Sequence, residues 1–89
     1  MQNHKYAKAE PYLLRLAKAP GATAKTLEAL VNLYFAQQNY RKALPWLEKL
    51  RKMDPQNPAY LENLAIAYDW LGEPENRDRV LKELAQKEE

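Results

Sequence analysis

Residues 6–16 read YAKAEPYLLRL, and residues 40–50 read YRKALPWLEKL. The segment Y-x-K-A-x-P-Y/W-L-x-x-L thus occurs twice, 34 residues apart. The same interval carries Leu27, Leu30, Tyr34, Leu47 and Leu50 onto Leu61, Leu64, Tyr68, Leu81 and Leu84. A fixed period in the range of 20 to 50 residues decides architecture before any local pattern does, because each unit must bury its apolar face against the next.

Within each period lie two apolar stripes at helical spacing, separated by residues that stop helices. The punctuation predicts five helices. The first spans about His4 to Ala19 and closes at Pro20-Gly21, and the second runs from Ala24 to Gln38 with Thr23 as N-cap. Tyr40 to Met53 forms the third, stopped at Asp54-Pro55. Asn57 caps the fourth with Pro58 at its first position, where a missing N–H costs nothing, and Gly72 ends it in a left-handed turn. The fifth begins at about Pro74. Connections this short make neighbouring helices antiparallel, so successive hairpins stack. Pro11 and Pro45 fall inside helices, each removing a backbone hydrogen bond, so a bend is expected at both as a repeat-shaping feature.

This pattern resembles the tetratricopeptide repeat, whose signature is W-x2-L-G-x2-Y, then A-x3-F, then P. Here it reads Leu27, Leu30, Val31, Tyr34, Ala43, Leu47 and Pro55, with Leu for Trp, Val for Gly and Leu for Phe. The second copy reads Leu61, Leu64, Ala65, Tyr68, Arg77 and Leu81, and Arg77 departs from the family's Ala. The resemblance implies an all-α fold, antiparallel hairpins stacked as a short right-handed α-solenoid. It covers residues 1–89 as a single domain: residues 4–19 are the second helix of a truncated repeat, and 24–53 and 58–89 are full hairpins.

Composition bounds the chemistry. The chain has 89 residues, 46% hydrophobic and 29% charged, which is ordinary for a folded soluble domain. It has no cysteine and no serine, and a single histidine, His4. Its two threonines, Thr23 and Thr26, sit at a helix start where capping explains them. Catalytic nucleophile, base and metal sites all need residue types that are scarce here, so no enzyme activity, metal or cofactor is expected. No apolar run approaches the roughly 20 residues of a membrane span, and the first residues lack a signal-peptide apolar segment. A soluble, by default cytoplasmic, protein without membrane insertion is the expectation.

Net charge is +2 but polarised: residues 1–20 carry four Lys/Arg against one Glu, and residues 56–89 carry four against eight Asp/Glu. The cations Lys5, Lys8, Arg15 and Lys18, with Arg41, Lys42, Lys49, Arg51 and Lys52, raise nucleic-acid binding as a minor reading. The acidic final third opposes it, and Lys49, Arg51 and Lys52 complement a helix C-terminus.

Two surfaces remain as binding candidates. In the family, the first helix of each hairpin lines the concave side, and a protein or peptide ligand binds there. That resemblance implies the stripe Lys25, Glu28, Asn32 and Phe35 of one helix and Glu62, Asn63, Ile66, Asp69 and Trp70 of the next. The asparagines would hold a peptide backbone, Trp70 and Phe35 would anchor apolar groups, and the carboxylates would favour a basic or neutral segment. The lysine that carboxylate-clamping members carry four residues before the first asparagine is Glu28 here, which argues against capture of a C-terminal carboxylate. The second surface is Tyr6, Ala9, Leu13 and Leu16, an apolar face lacking the helix that precedes it in a full repeat. Either the chain is a piece of a longer array or this face is shared with another molecule, as in a head-to-tail or exchanged-helix homo-oligomer.

Overall fold

The computed structural model describes residues 3–87, and their side chains from Tyr6 onward. Five helices follow one another: α1 (Asn3–Lys18), α2 (Ala24–Ala36), α3 (Tyr40–Met53), α4 (Pro58–Trp70) and α5 (Pro74–Lys87). Among the described residues there is no strand. Each helix packs against the next in sequence, α1 on α2, α2 on α3, α3 on α4 and α4 on α5, giving a slab of 40 × 30 × 16 Å. The arrangement is a stack of helical hairpins, an α-solenoid.

The caps show why the helices begin where they do. Thr23 has extended backbone, and its Oγ accepts from the Thr26 N–H at 3.3 Å. Asn57 Oδ1 accepts from the Ala59 N–H at 3.0 Å, with Pro58 at the first helical position. Each satisfies an amide that the helix start leaves without an intrahelical partner. Pro11 and Pro45 both lie inside helices, which run on through them.

Helices α2 and α4 end identically. In α4, Gly72 takes φ +72°, its N–H donates to Asp69 O at 3.2 Å, and the Glu73 N–H donates to Tyr68 O at 2.9 Å. One period earlier, Gln38 takes φ +58°, its N–H donates to Phe35 O at 2.9 Å, and the Asn39 N–H donates to Tyr34 O at 2.8 Å. Both are left-handed caps that satisfy the terminal carbonyls, but only one has the residue that adopts this backbone freely. The second helix therefore stops at Ala36 and not, as the sequence suggests, at Gln38. Gln38→Gly is expected to stabilise the fold by about 0.5 to 1 kcal/mol, the relieved left-handed strain less glycine's added entropy when unfolded. A urea titration in which this variant equals or falls below the parent would contradict the assignment of the cap.

The core is one contiguous cluster. Leu27, Leu30, Val31, Leu33 and Tyr34 come from α2, Ala43, Leu47 and Leu50 from α3, and Tyr60, Leu61, Leu64 and Ala65 from α4. Every core position that the repeat predicts in α2, α3 and α4 is buried apart from Tyr68, which is half-buried against the cluster. Two elements at the ends differ. Ala17 of α1, four residues after Leu13 on the same stripe, is fully buried, whereas Leu16 is 38% exposed. In α5 the repeat places Leu81 in the core, yet it is 43% exposed, and Val80 is buried in its place. The cause is position in the stack: α3 lies between α2 and α4, whereas α5 has α4 alone among the described residues. Arg77, where the family has Ala, is half-buried, and its guanidinium donates to Asp69 at 2.6 Å and Asp78 at 3.1 Å. Those carboxylates hold it protonated more firmly than usual.

Polar contacts link elements one repeat apart. Glu10 meets Lys42 at 3.6 Å, Arg41 meets Glu73 at 2.8 Å, Arg51 meets Glu83 at 2.9 Å, and the Tyr60 hydroxyl donates to Glu28. Each pair is separated by 32 residues, two short of the period. The exposed ion pairs among them contribute little to stability, but they join helices that the backbone does not bring into contact.

Candidate protein-binding surface

The face formed by α2 and α4 combines exposed polar residues with an aromatic group at its end. Lys25 and Asn32 of α2 and Glu62 of α4 are exposed, while Asn63 is half-buried. Ile66 is exposed, as is Trp70, whose side chain leaves 65% of its area in solvent. The Trp70 ring is nonetheless held in place. It stacks on Tyr40 with centroids 5.6 Å apart and 10° between planes, and Phe35 meets the other ring of that pair, Tyr40, edge-on at 5.1 Å and 76°. Such aromatic geometries contribute roughly 0.5–1.5 kcal/mol beyond area burial, so the indole is presented in a fixed orientation. Tyr40 is a member of this surface that the sequence marks only as the opening residue of the repeated segment and of α3, not as a binding residue.

Two of the three carboxylates expected to select a basic ligand are already engaged. Glu28 accepts from the Tyr60 hydroxyl and Asp69 accepts from Arg77 at 2.6 Å. Only Glu62 of the three is exposed without a partner among the described residues. Only Asp69 has its charge compensated, by Arg77; the Tyr60 phenol is neutral and leaves the Glu28 charge in place. The Tyr60–Glu28 bond, followed by burial, pushes the Tyr60 phenol up to about 12, and burial reinforced by Glu10 does the same for Tyr34. Tyr34 donates to Glu10 at 2.8 Å, which ties α2 back to α1.

A second concavity lies between α1 and α2, about 440 Å³, lined by Tyr6, Ala9, Leu13, Ala29, Asn32, Leu33 and Ala36. It brings together three of the four residues expected for self-association with Asn32 of the peptide-binding stripe. Leu16 is exposed and does not line it. Tyr6, Ala9 and Leu13 are half-buried against the core, so α2 covers part of this face.

The cations of α3 are largely neutralised. Arg41 pairs with Glu73, Arg51 with Glu48 and Glu83, and Lys42 with Glu10, while Lys49 lies 6.0 Å from the Trp46 ring. Arg51 and Lys52 sit in the last turn, where they complement the helix dipole. Among the described residues no group of three His, Asp or Glu side chains converges to hold a metal ion. No described helix is long and apolar enough to cross a membrane.

Stacked helical hairpins of 34-residue period define a helical-repeat protein. The family model of the tetratricopeptide repeat matches residues 24–67, from the first residue of α2 into α4, and this stretch is a tetratricopeptide repeat. Repeats of this family generally mediate protein–protein interactions. A search of curated proteins finds no match to the chain.

Proposed function

We propose that the protein is a non-enzymatic adaptor that binds a peptide or protein partner on the α2–α4 face, with Trp70 as its principal anchor. The observation that carries this reading is the Phe35–Tyr40–Trp70 group: a large aromatic side chain mostly in solvent, yet fixed by stacking. A fixed anchor loses little side-chain entropy when a partner covers it, and aromatic anchors of this kind dominate interface energies. Ile66 adds apolar area on the same helix, and Asn32 and Asn63 offer amides to a peptide backbone. The lack of Ser and Cys, with one His in the chain, supports the non-enzymatic part.

Trp70→Ala is expected to weaken partner binding by about 1 kcal/mol or more while leaving helix content unchanged. Peptides selected from a random library on the immobilised chain, then measured by calorimetry against parent and variant, provide the check. Swapping Lys49 or Lys52 for Ala should change affinity little. Selected ligands whose affinity ignored Trp70, Asn32 and Asn63 but fell on changing Tyr12 or Leu16 would move the binding surface to α1.

A further inference from the structure

Charge is sorted by helix. The two copies of the repeated segment, α1 and α3, carry nine Lys/Arg against Glu10 and Glu48, whereas α2 and α4 carry Lys25 against Glu28, Glu62 and Asp69. Ala9 and Leu13 of α1 turn toward the core, as do their counterparts Ala43 and Leu47 of α3. The cations on the faces away from the core therefore share one side of the stack, and Glu10 and Lys42, 3.6 Å apart, bring the two helices together there. Carboxylates do not balance this side. Glu10 is spent on Lys42 and Glu48 on Arg51, while in the acidic final third Asp69 and Asp78 meet Arg77, Glu73 meets Arg41 and Glu83 meets Arg51. Lys8, Arg15, Lys18, Lys49 and Lys52 are exposed with no carboxylate partner among the described residues. The helix dipole accounts for cations in the last turn, but Lys8 and Lys49 lie outside it.

Aromatic rings stand among these cations. Lys8, Tyr12 and Arg15 fall at i, i+4 and i+7 on one face of α1, and Lys42, Trp46 and Lys49 repeat that order 34 residues on in α3. Tyr12 is exposed, and Lys49 Nζ lies 6.0 Å from the centre of the half-buried Trp46 ring. A ring between cations suits a ligand in which anions and flat rings alternate. Phosphates and unpaired bases do so along a single strand of nucleic acid, whereas a duplex hides the faces of its bases, and an acidic peptide or an anionic membrane supplies the charge without the rings. We propose that the α1–α3 side binds single-stranded nucleic acid, with phosphates on Lys8, Arg15, Lys18, Lys49 and Lys52 and a base stacked on Tyr12. This is a second surface, independent of the Trp70 anchor on the α2–α4 face.

The test is fluorescence anisotropy of a labelled oligouridylate of about 12 nucleotides titrated with the whole chain, with an oligothymidylate of the same length to tell RNA from DNA. Contact with about four phosphates gives a log–log salt slope of about −3, so affinity is expected to fall about sixtyfold between about 50 and 200 mM salt. The double variants Lys8→Gln/Arg15→Gln and Lys49→Gln/Lys52→Gln should each weaken binding about tenfold and make the slope shallower by about 1. Tyr12→Ala should weaken binding about fivefold or more without changing the slope, and Tyr12→Phe, which keeps the ring, should bind as the parent does. All of these side chains are exposed, so circular dichroism should show the parent's helix content. Trp70→Ala should leave oligonucleotide affinity unchanged, which separates this surface from the α2–α4 face. No anisotropy change at about 100 μM chain in low salt, affinity indifferent to Tyr12→Ala, or loss of affinity on Trp70→Ala would overturn the proposal. So would an oligoglutamate of equal charge, or phosphatidylserine vesicles, competing as well as unlabelled oligouridylate, since the face would then serve an acidic protein or a membrane.

Discussion

Leu30→Ala and Leu64→Ala are each expected to destabilise the fold by about 2 to 5 kcal/mol, the cost of deleting a packed leucine and leaving part of a cavity. Both side chains have 0% exposure and lie at matching positions of consecutive repeats, in the first helix of each hairpin. Small domains have total stabilities near the low end of roughly 5–15 kcal/mol, so either change takes much or all of what is available. Leu81→Ala provides the contrast. The same leucine-to-alanine change at a position 43% exposed is expected to cost about 1 kcal/mol or less. Urea denaturation of the three variants checks both statements. If Leu81→Ala proved as damaging as Leu30→Ala, the seating of α5 through Val80 would be wrong.

A second large effect is expected at alkaline pH. Tyr34 and Tyr60 are each pushed from the usual 10 up to about 12, the first mainly by burial and the second mainly by its bond to Glu28. A phenol that is harder to ionise in the folded chain stabilises that state fully below pH 10, where neither state has lost the proton. Between pH 10 and 12 the unfolded chain releases protons that the folded chain keeps, and the contribution is lost as pH rises through the folded value. Both hydroxyls lie in part-buried hydrogen bonds, so solvent screening keeps the loss below the full value of those shifts. Urea midpoints followed from pH 9 to pH 12 should fall steeply in the parent. In Tyr34→Phe/Tyr60→Phe the fall should be much shallower. Glu28→Gln should relieve the steepness more than Glu10→Gln, because the hydrogen bond is the leading cause only at Tyr60. A double variant with the parent's profile would show that other groups control alkaline unfolding.

The repeat, the five helices and nearly all of the core are legible in the sequence because helical spacing, caps and period all agree on them. Thr23, Asn57 and Gly72 each carry their structural role in their chemistry. Gln38 does not: its left-handed backbone is imposed by the repeat, and glutamine advertises no such conformation. Val80 replaces Leu81 in the core because a missing neighbour changes what a periodic position means. The candidate surface is less legible for a related reason. Spacing places Phe35 and Trp70 on outward stripes, but the stacking on Tyr40 depends on how α3 starts between α2 and α4. Spacing likewise marks Glu28 and Asp69 as outward charges, and only the fold shows Tyr60 and Arg77 satisfying them.

Because backbone contact runs only from each helix to the next, no backbone contact reaches beyond a neighbouring pair of helices. Loop closure then costs little entropy, and local topology of this kind folds quickly. The same linear order makes cooperativity a matter of neighbours. An inner helix such as α3 cannot open without breaking two interfaces, whereas α1 breaks one. Release of α1 would uncover the flank of α2 while the α2–α5 contacts stay intact, so the chain can yield at one end in a graded way, its local stability lowest where its groove is open.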